Sequence, residues 1–65
     1  MLNHKTVIIT KDRLIYVQED VTNIIYQFST NDIIRCTEIA YDKTYKYEKR
    51  VIYLNKSFIN EIREK

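Results

Sequence analysis

The run Ile24–Tyr41, IIYQFSTNDIIRCTEIAY, holds two apolar segments separated by a polar break, and the fold depends on how each is read. In IIYQFS, Ile24, Tyr26 and Phe28 alternate with Ile25 and Gln27, which is the pattern of a half-buried strand. STND follows with turn-forming or helix-capping groups. DIIRCTEIAY admits two readings. As a strand it sets Ile33, Arg35, Thr37, Ile39 and Tyr41 on one face and Ile34, Cys36, Glu38 and Ala40 on the other. As a helix capped by Thr30 or Asn31 it aligns Ile33, Ile34 and Thr37 and then loses its stripe. Its β-branched content favours the strand.

Upstream, KTVIIT places Val7, Ile8 and Ile9 in succession between threonines, and LIYVQ follows after the polar KDR. The two runs form a hairpin, with Asp12 available to bond back to the turn backbone. Downstream, TYKYEKRVIYL sets Tyr45, Tyr47, Lys49, Val51 and Tyr53 on one face and Lys46, Glu48, Arg50, Ile52 and Leu54 on the other. It pairs with the preceding strand across a turn at Asp42 and Lys43. The tail NKSFINEIREK changes period: Phe58, Ile59 and Ile62 share one side of a helix that Asn55 or Ser57 can cap. The expected fold class is therefore α+β: a five-stranded, mainly antiparallel, curved sheet followed by a short C-terminal helix over roughly residues 56–64. No repeat, linker or low-complexity tract divides residues 1–65, which read as one small domain.

A chain of 65 residues is near the size where only about 60% of the unfolded chain's surface is buried on folding. One cysteine, Cys36, cannot form an internal disulfide, and His4 is the single histidine, so no local thiolate and imidazole cluster exists for a structural zinc. No cofactor or metal is expected. Several strands are apolar on both faces, and one short helix covers part of one face. The sheet must then curl into a partial barrel or meet a second subunit. The lack of glycine weakens full closure and favours a homo-oligomer, most simply a dimer. No apolar run has the length of a membrane span, and the N-terminus carries no secretory pattern, so a cytoplasmic location is expected.

The runs VIITKDRLIYVQED and IYQFSTNDIIRCTEI, with FINEIREK at the end, resemble small bacterial domains of the pleckstrin-homology-like kind. Ile9, Thr10, Arg13 and Leu14, then Asp32, Ile33 and Ile34, carry the resemblance, which spans about residues 5–64 and lacks at least two of that fold's strands. It implies a binding or assembly module and names no ligand; no binding residue is carried over from it.

Material for catalysis is sparse. Cys36 in an Ile-rich segment reads as a small buried side chain, His4 as a solvent-facing terminal residue, and the scattered acids as turn formers. The absence of glycine excludes a phosphate-gripping loop of the usual kind, so a non-enzymatic protein is expected. Charge is more informative by region: residues 1–42 hold four bases and six acids, whereas residues 43–50 hold four bases and one acid. This local excess lies in YDKTYKYEKR, where Tyr41, Lys43, Tyr45, Lys46, Tyr47, Lys49 and Arg50 are the candidate macromolecular contacts. Tyrosines are suited to protein interfaces, since a ring is buried while its hydroxyl reaches the rim. Lysines beside stacking rings also suit single-stranded nucleic acid, but Lys46 and Arg50 fall on the face opposite Lys49 and the tyrosines, and Glu48 interrupts them. A protein-contact role, with an unidentified protein partner, is the primary expectation; nucleic-acid binding is the alternative.

Overall fold

The computed structural model describes residues 4–41 and 46–65. Strands β1 (Thr6–Thr10) and β2 (Leu14–Val17) are followed by helix α1 (Val21–Thr30), then β3 (Ile33–Tyr41) and β4 (Tyr47–Asn55). One 3-10 turn (Lys56–Phe58) leads into β5 (Ile59–Glu64). The sheet order is β4-β3-β2-β1-β5, and every neighbouring pair is antiparallel.

The expected β1–β2 hairpin is present, with Ile8 opposite Ile15. Its turn is organised by Thr10 and not by Asp12. The Thr10 hydroxyl oxygen lies 3.3 Å from the Asp12 N–H and 3.2 Å from the Arg13 N–H, and the Thr10 N–H donates to the Arg13 carbonyl at 3.0 Å. A hydroxyl thereby closes a turn that has no glycine. The expected Asp42–Lys43 turn lies outside the described residues.

Two elements differ from the sequence reading. IIYQFS is not a strand; it belongs to α1, whose N-cap Asp20 accepts from the Asn23 N–H at 2.8 Å. Val21, Ile24, Ile25 and Phe28 follow the spacing of one helix face, and of these Ile24 is fully buried while Phe28 packs against the core. The expected C-terminal helix over residues 56–64 is also absent, so the α+β arrangement of a sheet followed by a helix is corrected: the helix lies between β2 and β3, and the tail is the 3-10 turn plus β5. The tail instead pairs with the edge of β1, and a β-bulge accommodates its helix-like spacing. Ile9 pairs with Glu61 while Thr10 pairs with Ile59, leaving Asn60 as the extra residue. Ile59 and Ile62, three apart, can then both pack against the core from a strand, and three is also nearly one helical turn. The number of strands stays at five because IIYQFS leaves the sheet and INEIRE joins it.

Ile8, Ile15, Val17, Ile24, Ile34 and Cys36 form the buried core. Ile52 and Leu54 of β4 and Ile59 and Ile62 of β5 pack against it, although β4 and β5 stand at opposite ends of the strand order. The sheet therefore curls around this core, and α1 closes part of its concave side. Between β2 and β3 the ladder holds a single residue pair, Val17 with Glu38. Side chains on and just before α1 take over beyond it: Glu19 accepts from the Thr37 N–H at 2.7 Å, and Gln27 bonds both backbone groups of Arg35. The helix thus stands where a longer β2 would have continued.

Candidate functional site

The convex face of the β3–β4 ribbon follows from register. Tyr41 is opposite Tyr47, Ile39 opposite Lys49, Thr37 opposite Val51, Arg35 opposite Tyr53 and Ile33 opposite Asn55. These residues alternate with Ile34, Cys36, Ile52 and Leu54, which point to the core, so they lie on the opposite side of the ribbon. Ile33 is 55% exposed, Val51 49% and Tyr53 68%, with exposed Arg35 and Lys49 beside them. Neither strand contributes a carboxylate to this face, because Glu38 and Glu48 alternate to the other side; Glu19 reaches it from outside the ribbon, its Oε2 accepting from the Thr37 hydroxyl at 2.9 Å.

At one end of the face the rings converge. Tyr41 and Tyr47 have centroids 6.5 Å apart, Tyr16 and Tyr41 6.2 Å, and His4 and Tyr16 4.5 Å. His4 Nδ1 lies 3.3 Å from the Tyr41 hydroxyl. Burial, and then the charge of Lys65, hold the imidazole pKa below its ordinary 6.5. Ile39, next to Tyr41 on this face, is buried. At this end the rings contact one another over a buried Ile39 while Tyr41 and Tyr47 stay exposed, and Ile33, Val51 and Tyr53 are exposed at the other end. His4 was expected to face solvent; it is instead half-buried among tyrosines.

The concave side carries a different arrangement. Glu38 is only 5% exposed and lies between Arg13, whose Nη1 donates to Oε2 at 2.9 Å, and Arg50, whose Nη2 is 3.4 Å from Oε1. Two cations compensate one buried carboxylate, and both guanidinium groups keep a solvent-exposed part. Nearby, a cavity of about 370 Å³ lies between the β1–β2 turn and the 3-10 turn, with Ile15, Leu54 and Phe58 as apolar lining and Lys11, Asp12 and Arg13 as polar lining.

Of the residues singled out from sequence, Tyr41, Tyr47 and Lys49 share the convex face. Arg50 is on the concave side with Glu38, and Lys46 is exposed immediately before β4. Lys43 and Tyr45 lie outside the described residues. The members missed were Ile33, Arg35, Val51 and Tyr53. Their signal was present in the alternation of the two strands, and overlaying the odd positions of DIIRCTEIAY and TYKYEKRVIYL would have found them.

Cys36 is unsuited to nucleophilic chemistry. Burial, followed by the charges of Glu19 and Glu38, pushes its pKa from 9.0 to about 12, so the thiol stays protonated near neutrality. Among the described residues no group of three or more His, Cys, Asp or Glu side chains is placed to hold a metal ion. No described helix is long and apolar enough to cross a membrane. The chain matches no protein-family model, no curated protein and no solved structure, so these comparisons assign no residue a role.

Proposed function

We propose that this protein is a small binding module that acts through protein–protein contacts as an oligomer, with the convex face of the β3–β4 ribbon as its contact surface. The observation that carries this reading is the adjacency of exposed Ile33, Val51 and Tyr53 on one side of two strands, with Tyr47 at the far end. Exposed apolar groups gathered on one face mark interaction sites more often than the same groups scattered singly. Tyr53 and Tyr47 supply large rings at low entropic cost, and Arg35 and Lys49 supply charges beside them. The pleckstrin-homology-like resemblance adds no weight here, because it needs IYQFS as a strand and FINEIREK as a helix, and these segments form α1 and the 3-10 turn with β5. The lone thiol of Cys36 suits a reducing cytoplasm, where we place the protein.

Single-stranded nucleic acid is the second reading, favoured by one observation: Arg35 and Lys49 flank tyrosine rings on a face to which neither strand of the ribbon contributes a carboxylate. A photo-crosslinking amino acid in place of Tyr53 separates the two in cells. Protein adducts are the expected result. Adducts to RNA or DNA that vanish in an Arg35→Ala, Lys49→Ala double variant would move the surface to the second reading, and a lack of adducts of either kind would remove both.

A further inference from the structure

We propose that the outer edge of β4 pairs antiparallel with the β4 of a second copy, in the register that sets Val51 opposite Val51. The inference rests on the contact-protein reading above and names the oligomer's interface.

The backbone directions follow from three observations. The Lys56 N–H donates to the Asp32 carbonyl at 2.9 Å, which continues the β3–β4 register and makes even-numbered pairs the hydrogen-bonded ones. On the other side of β3, Arg35 and Thr37 spend their backbone groups on Gln27, Glu19 and Gln18, as odd positions facing away from β4 should. Hence the N–H and C=O groups of Tyr47, Lys49, Val51, Tyr53 and Asn55 point outward from the sheet. Among the described residues β4 pairs with β3 alone. Both edge strands carry three charged residues, but the opposite edge, β5, is shorter and carries a bulge, two features that discourage pairing. β4 is nine residues long and pairs with β3 without a register shift.

Register selects the partner. A two-fold axis normal to the sheet pairs residues of equal parity, so candidate registers differ by which residue meets its own copy. Centring on Lys49 sets lysine against lysine, and centring on Arg50 sets arginine against arginine, both destabilising. Centring on Ile52 avoids like charges but leaves Tyr47 and Glu48 beyond the overlap. Val51 is the midpoint of Tyr47–Asn55, so centring there pairs the whole strand. It sets Lys49 against Tyr53, a cation beside a ring, Tyr47 against Asn55, Arg50 against Ile52 and Glu48 against Leu54, so within Tyr47–Asn55 no like charges are opposed; Lys46 and Lys56 meet only beyond the strand ends, where Lys56 has Asp32 at 3.6 Å. The outward odd residues become the hydrogen-bonded pairs, exchanging on the order of ten backbone hydrogen bonds. The charged first half of one strand thereby meets the apolar second half of its twin.

Sedimentation equilibrium on the full chain tests this with Val51→Pro, Val51→Glu and Val51→Lys. Proline at 51 removes an N–H that β3 does not use, so the fold should persist and self-association should weaken about ten-fold or more. The Glu and Lys variants should each associate as poorly, and their equimolar mixture should recover a dimer. A wild-type chain that stays monomeric up to about 1 mM would overturn the proposal. Undiminished association of Val51→Pro with its circular dichroism unchanged would do the same. Should Val51→Pro unfold, the charge pair decides: no recovery on mixing rejects the Val51-centred register. The contact-face reading fails separately. A monomeric Val51→Pro chain that still crosslinks a different protein through position 53 leaves that reading standing, whereas a wild-type dimer whose position-53 adducts are nucleic acid removes it and keeps the edge.

Discussion

The side-chain amide of Gln27 occupies the place of a neighbouring strand at Arg35: its Oε1 accepts from the Arg35 N–H at 2.7 Å and its Nε2 donates to the Arg35 carbonyl at 2.8 Å. The same Nε2 also donates to Asn23 Oδ1 at 2.8 Å, which holds the amide in place one turn back along α1. Gln27→Ala should cost about 0.5–1.5 kcal/mol for each bond lost, the net worth of an ordinary hydrogen bond, because both bonds are solvent-exposed and water can take the place of the amide. Gln27→Glu should recover little, because a carboxylate can still accept from the Arg35 N–H but repels the carbonyl beside it. Urea unfolding measures the loss, and faster hydrogen exchange at the Arg35 amide should locate it. Unchanged exchange at Arg35 in Gln27→Ala would show that the side chain does not replace a strand.

Glu38 yields an asymmetric prediction. Removing both guanidinium groups, as in Arg13→Met with Arg50→Met, strands a buried carboxylate and should cost about 3 kcal/mol or more. Removing the acid, as in Glu38→Gln, leaves two half-exposed arginines that return to water, and should cost about 1–2 kcal/mol. Equal losses in the two variants, compared by denaturant unfolding, would contradict the compensation read from the geometry.

Cys36 predicts an alkaline dependence. Its folded pKa is raised to about 12 from 9.0, so the stabilisation from keeping a neutral thiol is fully present below pH 9. It is lost as pH rises from 9 toward 12, because the unfolded chain ionises first. Cys36→Ala should flatten that part of the stability profile while costing on the order of 1 kcal/mol at neutral pH for the lost packing. In native wild type a thiol reagent should react only at the rate of opening. Fast labelling of the folded chain would place Cys36 outside the core.

The sequence by itself determined the elements whose local preference and final environment agree. KTVIIT and LIYVQ are β-branched runs on either side of a polar break, and DIIRCTEIAY alternates strictly enough that its faces, and those of β4, are legible residue by residue. From those faces came the shared side of Tyr41, Tyr47 and Lys49, and the separation of Arg50 from them. IIYQFS satisfies alternation and a helical stripe at once. The Asp20 cap and the Val21, Ile24, Ile25, Phe28 spacing were local signals for the helix, and its packing against β3 made them effective. The tail was decided by tertiary structure alone. Ile59 and Ile62 carry the spacing of a helix turn, but β1 presents an unpaired edge whose backbone groups gain partners only if the tail extends. A bulge at Asn60 lets both isoleucines remain on the core side. That edge lies at the other end of the chain, where no local window of sequence contains it.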